Sequence, residues 1–181
     1  MKKNFNDIKQ KYEEFYQELM KKGRLPIKDT GVGFWGAAVI DEVFEIFNKI
    51  ELGKFKHLLD IGSGDGKVVM IASLFGVKAT GVELDQELFK KSMEIKNHFS
   101  KRKHAKNVEF HNKNYYEHDF TPHDILFINP DIPFHRGLEN KLLREMKGKL
   151  LLYGSHYYPS YLKKEQSFAV NGTEVSVYSK F

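Results

Sequence analysis

Leu58-Leu59-Asp60-Ile61-Gly62-Ser63-Gly64-Asp65-Gly66 decides the fold. It reads as a short apolar strand ending in a glycine-rich turn. The residues that follow, Lys67 to Phe75, put Val68, Val69, Ile71, Ala72 and Leu74 on an apolar helix face. Glycines at alternate positions permit positive φ and a close approach of backbone to a ligand. The N–H groups of the turn and of the helix start then face whatever lies beyond the strand.

A dinucleotide site asks for G-x-G-x-x-G/A, and here the third small position is Lys67. A second apolar strand, Ala79-Thr80-Gly81-Val82, follows Gly76 and ends on Glu83. An acid at the tip of a second strand can accept both ribose hydroxyls of a nucleoside. The D-x-G-x-G-x-G spacing, with Gly81-Val82-Glu83-Leu84-Asp85 beyond it, resembles motif I of the class I S-adenosylmethionine (SAM) methyltransferases. That resemblance implies SAM as cofactor, with Asp60, Gly62, Ser63, Gly64, Gly66, Glu83 and Leu84 around it. It also implies a Rossmann-like α/β fold with helices on both faces and an extra N-terminal helix. Its seven-stranded, mostly parallel sheet would run in the order 3-2-1-4-5-7-6, with only the seventh strand antiparallel.

The chain has 181 residues, 41% of them hydrophobic and 29% charged, which allows one globular domain with a sizeable core. Residues 1–28 are expected to form an N-terminal helix and connection, and 29–181 the methyltransferase domain. The chain has no cysteine, so disulfides, thiolate-held zinc and a cysteine nucleophile are excluded. The first residues contain no apolar signal-like core, and no segment reaches membrane-spanning length. The expectation is a cytoplasmic protein without a membrane partner. A net charge of +5 suits a polyanionic partner, and equally a lysine-rich proteome.

Phe5, Ile8, Tyr12, Phe15, Tyr16 and Leu19 recur at helical steps and predict a helix ending near Lys21-Lys22-Gly23. It either packs on the main domain or forms a lid before the cofactor cleft. Arg24 to Ile27 reads as extended. The glycine-rich segment Asp29-Thr30-Gly31-Val32-Gly33-Phe34-Trp35-Gly36 leads into a helix burying Val39, Ile40, Val43, Phe44, Phe47 and Ile50. In the family this segment runs past the methionine end of SAM, so Phe34 and Trp35 either wall the cofactor or anchor the helix.

A helix from Asp85 runs into Ser100-Lys101-Arg102-Lys103-His104-Ala105-Lys106, the densest basic run in the chain. It is either a solvated loop or a phosphate-contacting patch. The third strand is Asn107 to His111, followed by Lys113-Asn114-Tyr115-Tyr116. The resemblance puts Asn114 on the adenine amino group, with Tyr115 beside it. Asp124 to Ile128 reads as a buried strand whose carboxyl end, Asn129-Pro130-Asp131-Ile132-Pro133-Phe134, should border the transferring methyl. A helix around Leu138 to Met146 and a strand over Lys149 to Tyr153 follow. Asn171-Gly172 between alternating segments predicts a closing hairpin.

Asn129-Pro130 looks like the start of the N-P-P-[YF] motif of amino-group methyltransferases acting on bases or glutamine. Asp131 stands at the second proline, and Phe134 falls two positions late. A second resemblance covers more of the chain: the small archaeal protein lysine methyltransferases. It rests on the short helix before the turn, Gly64-Asp65-Gly66-Lys67, Lys113-Asn114-Tyr115-Tyr116, and Ser155-His156-Tyr157 after the fifth strand. It implies a macromolecular partner, protein lysine ahead of nucleic acid, with Asn129, Asp131, His156 and Tyr157 on the substrate side. The nucleic-acid amino group and a non-catalytic SAM-binding subunit stay open. His111, His118, His123 and His135 lack metal-ligand spacing and read as scattered surface histidines.

Overall fold

The computed structural model describes residues 1–31 and 33–181, without the side chain of Arg136. Val32, in the glycine-rich segment expected beside the cofactor, lies outside the described residues.

Helix α1 (Lys2–Lys21) buries Phe5, Ile8, Tyr12 and Leu19, the stripe its spacing predicts. A small antiparallel hairpin follows, β1 (Ile27–Asp29) and β2 (Phe34–Gly36), in place of the expected extended connection and loop. Helix α2 (Ile40–Lys49) buries Val43, Ile46 and Phe47. Val39, expected inside, is the extended cap residue and half exposed, while Ile46 takes the inner position.

The alternation then begins. Strand β3 (His57–Ile61) leads into the glycine turn and α3 (Lys67–Ala72), which tightens to a single 3₁₀ turn at Ser73–Phe75. Strand β4 (Lys78–Glu83), α4 (Gln86–His98) and β5 (Val108–Asn112) come next. Asp85 caps α4, its carboxylate accepting the Leu88 N–H at 2.9 Å. Strand β6 (Ile125–Ile128), α5 (Arg136–Glu145), β7 (Lys149–Tyr153), β8 (Lys163–Val170) and β9 (Thr173–Ser179) complete the chain.

The main sheet runs β5-β4-β3-β6-β7-β9-β8, the order that the family resemblance implies. Its first five strands are parallel, and β9 is antiparallel to both β7 and β8. The last hairpin closes at Asn171 and Gly172 with φ of 49° and 88°, the paired positive values that a two-residue turn of this kind requires.

Side-chain alternation splits the core into two layers. On β3, Leu58 joins α1, α2, α3 and α4 on one face, whereas Leu59 and Ile61 join α5 on the other. On that second face α5 covers β3, β6 and β7. The connection from β5 to β6 carries only a single turn at Tyr115–Glu117. Lys78, Thr80, Glu109 and His111 share the Val82 side of β4 and β5, and among the described residues no helix covers them. Among the described residues no helix is long and apolar enough to cross a membrane.

His118 and His123 depart from the expectation of scattered surface histidines. The His118 ring packs between those of His111 and His123, centroid to centroid at 5.3 and 5.4 Å, and His123 is buried. Burial, with the Lys113 ammonium beside it, holds His118 down at about 4 against an ordinary 6.5.

Two expectations follow for stability. At His118 the unfolded chain binds more protons than the folded one between about 4 and 6.5, so the contribution of this group to stability is complete above that window and is lost as pH falls through it, while the raised carboxyls of Asp60 and Glu83 act in the opposite direction. His118→Asn removes that part of the slope, which matched urea titrations at several pH values check. At Gly148, a Cβ would stand 1.8 Å from the Asp124 carbonyl oxygen. Gly148→Ala therefore forces backbone apart and costs about 1–3 kcal/mol, read as a lowered urea midpoint. Gly53→Ala, whose Cβ meets the Phe75 carbonyl at 3.3 Å, should cost clearly less.

Candidate functional site

Beyond the carboxyl ends of β3, β4 and β6 lies a cavity of about 340 Å³. Its walls come from the β1–β2 hairpin, the glycine turn, the tip of β4, the residues after β5 and the loop after β6. This is where open α/β sheets place ligands.

The turn has three glycines with φ of 74°, 53° and 80°, and each faces something different. Gly62 lines the cavity. Gly64 lies under the indole of Trp35, which a Cβ would meet at 2.5 Å. Gly66 packs behind the turn, where a Cβ would meet Phe110 at 2.5 Å and Ser92 at 2.7 Å. Only the first borders open space. Asp60 and Ser63 are buried below the cavity without lining it, and Asp60 Oδ2 and Ser63 Oγ have no hydrogen-bond partner among the described residues. Burial, with Glu83 and Asp65 nearby, pushes the Asp60 carboxyl well above the usual range.

Glu83 ends β4 with its carboxylate in the cavity wall. It accepts the N–H groups of Gly64 and Asp85, both at 2.7 Å. Burial raises its carboxyl, and the two backbone donors oppose that rise. Each oxygen keeps a second lone pair, so the group can still accept a pair of hydroxyls. Leu84, Asn114 and Tyr115 line the same side. Asn114 Oδ1 caps the short turn by accepting the Tyr116 N–H at 3.0 Å, which fixes its amide at the wall. Buried carboxylate, glycine backbone, amide and aromatic ring together have the chemistry to hold a nucleoside.

The hairpin roofs this space. Trp35 sits between the Gly64 turn and Phe15 of α1, the rings 6.4 Å apart. Lys28 on β1 pairs with Asp85 at 2.8 Å and Glu87 at 2.7 Å, and Arg24 reaches Glu87 at 2.9 Å. Across the cavity, Asp131 accepts the Phe34 N–H, and the Asn129 amide reaches the Gly36 carbonyl at 3.4 Å. Two residues expected on the substrate side thus line the cavity and also latch its roof.

His156 and Tyr157 are placed elsewhere: His156 is exposed, and neither lines the cavity. Their loop is drawn toward α5, where the buried Glu139 accepts the N–H groups of Ser160 and Tyr161. The histidine that does line the cavity is His135, which its spacing alone does not single out. Its Nε2 lies 2.9 Å from the Tyr116 hydroxyl. The signal that could have found it is position, since His135 follows the β6 loop directly and caps α5.

The basic run lies at the other end of the sheet. It enters β5 at Val108, so it sits at the amino ends of the parallel strands. Arg102 is paired with Asp7 at 3.1 Å, and the buried His104 contacts Ser73 Oγ at 3.2 Å.

Solved structures share this fold. An RNA methyltransferase from Salinibacter ruber in complex with S-adenosyl-L-homocysteine matches with a TM-score of 0.63 and 18% identity, covering 79% of this chain and 92% of that one. A putative methyltransferase, yhhF, from Escherichia coli matches with a TM-score of 0.59 and 22% identity over 77% and 85% of the two chains. PH0226 from Pyrococcus horikoshii OT3 matches with a TM-score of 0.60 and 16% identity over 81% and 93%. No curated protein matches the chain. The sequence profile described as "Histone methylation protein DOT1" matches residues 31–146, a span that holds the glycine turn, Glu83 and the loop after β6. The chain belongs to that family, and it is a SAM-dependent methyltransferase.

Proposed function

We propose that the chain methylates an amino nitrogen, and that the acceptor is a lysine side chain of a protein. The observation that carries this reading is the charge of the cavity wall. Among the described residues two carboxylates, Glu83 and Asp131, line it with a single ammonium, Lys113. Such a wall attracts an incoming ammonium and repels a phosphate backbone. Phe34, Leu84, Tyr116 and Ile132 leave apolar surface exposed around it, a surface suited to the aliphatic stem of a lysine. The family's description as a histone methylation protein points the same way.

In this reading Glu83 accepts the ribose hydroxyls, Asn114 and Tyr115 hold the adenine, and Trp35 closes over the Gly64 turn. Bound SAM supplies an activated methyl on a sulfonium, so the protein's work is position and desolvation. A lysine ammonium, which ordinarily titrates at about 10.4, must first lose a proton. His135, seated against the Tyr116 hydroxyl at the cavity wall, accepts it. A nucleobase amino group is the second reading, favoured by Asn129 in the wall with Pro130 beside it.

Trp35 is the chain's only tryptophan, and its fluorescence reports cofactor binding. Glu83→Ala should weaken SAM by roughly 10–100-fold, the loss expected for charged hydrogen bonds. Unchanged affinity would move the ribose elsewhere. With methyl-labelled SAM and a cell extract, label should be lost to protease and kept through nuclease. Loss to nuclease alone would reverse the order of the two readings. His135→Gln should slow transfer without changing cofactor affinity, and the remaining activity should climb more steeply with pH.

A further inference from the structure

The face of β4 and β5 that no helix covers among the described residues forms, with the loop that carries His118 and His123, a groove of about 760 Å³. A parallel crossover usually lays a helix over such a face; here the connection from β5 to β6 is a loop with one turn. Lys78, Lys96, Lys106 and Lys113 line the groove, and none has a carboxylate partner among the described residues. Lys101 and Lys103, exposed in the basic run, precede Lys106 in the chain.

The imidazoles add unmet polar capacity. His123 is only 7% exposed and its Nδ1 has no partner, nor has either ring nitrogen of His118. Three carboxylates also line the groove. They are Glu109, Glu117 and Asp119, the last held in its charged form by the N–H and hydroxyl of Thr121 at 2.9 and 2.8 Å. The four lysines of the groove outnumber its three carboxylates by one, and the exposed Lys101 and Lys103 of the basic run add to that excess.

We propose that this groove and the basic run that includes Lys106 bind the phosphodiester backbone of a nucleic acid. Charge complementarity selects an anionic chain. Phosphate is favoured over an acidic protein segment because none of the large exposed apolar side chains lines the groove. A protein partner needs such anchors, whereas backbone phosphates need only charges and donors. Strand β5 spans roughly 16 Å at about 3.3 Å per residue, room for several phosphates along its length. The groove lies beside the sheet and runs toward its amino ends, and it shares only Lys113 with the methyl-transfer cavity. The nucleic acid held there is a tether that brings the enzyme to its acceptor, and its binding rests on nothing assumed about that acceptor.

The test uses the full chain and a fluorescently labelled, mixed-sequence RNA oligonucleotide, followed by anisotropy across a salt series. Lys78→Gln with Lys106→Gln should lower affinity roughly tenfold at moderate salt and flatten the log–log salt slope by about 1.4, two phosphates at about 0.7 each. The charge-matched pair Lys21→Gln with Lys22→Gln, on the exposed end of α1, should leave both unchanged. SAM affinity and the melting midpoint should match wild type in both variants, which separates lost contacts from lost fold. No RNA binding by wild type, an unchanged slope in the first pair, or an equal loss in the second would overturn the proposal. Displacement of the RNA by polyglutamate as readily as by unlabelled RNA would also overturn it, in favour of an acidic protein segment.

Discussion

Asp65 is a carboxylate buried to 2% exposure in the middle of the glycine turn, and the arrangement of the site depends on how it is satisfied. The Tyr16 hydroxyl donates to it at 2.6 Å and the Lys67 N–H at 3.1 Å, while the Tyr12 hydroxyl donates to its backbone carbonyl at 3.1 Å. A buried charge left without such donors is costly. The turn, the start of α3 and helix α1 are thereby held as one unit. The Lys67 ammonium, itself buried, lies 4.9 Å from the Tyr16 ring and donates to the Ala38 carbonyl. That bond reaches the segment just before α2, so the knot also fixes where the hairpin returns to the body of the protein.

The hairpin roof is attached on three sides by different physics. Trp35 packs between Phe15 and Gly64, Lys28 pairs with carboxylates at the head of α4, and Asp131 takes a backbone N–H of β2. The Lys28–Asp85 pair is partly buried, whereas the Arg24–Glu87 pair beside it is exposed and adds little. Ring packing and the backbone bond carry more of the closure. The cavity is consequently shaped by residues far apart in the chain, with its floor set by the parallel strands and its lid by the first few dozen residues.

What the sequence discloses follows the range of the interactions. The β3 strand, its turn and the next helix are local, written in alternation and glycine spacing, and they fold as read. The helix α1 stripe is equally plain. The β1–β2 hairpin escapes notice because three-residue strands with one half-buried position have no periodicity to detect. His156 is misplaced because the path of its loop is decided by Glu139 on another helix, a contact no local pattern announces. The end of the sheet on which the basic run lies was legible, since a segment that enters a parallel strand lies opposite the strands' carboxyl ends. The roles of Gly64 and Gly66 were not, because their neighbours, Trp35 and Phe110, come from distant segments.

The bond from Tyr16 to Asp65 joins residues 49 positions apart. During synthesis α1 leaves the ribosome before Asp65 and the main sheet exist. Its apolar stripe has nothing to bury against until β3 and the turn have emerged, and most of the stability of a helix in a protein comes from packing such a face. The N-terminal helix must therefore wait as loosely structured chain. Docking it is a late event in folding, coupled to completion of the central strands rather than to its own helix propensity.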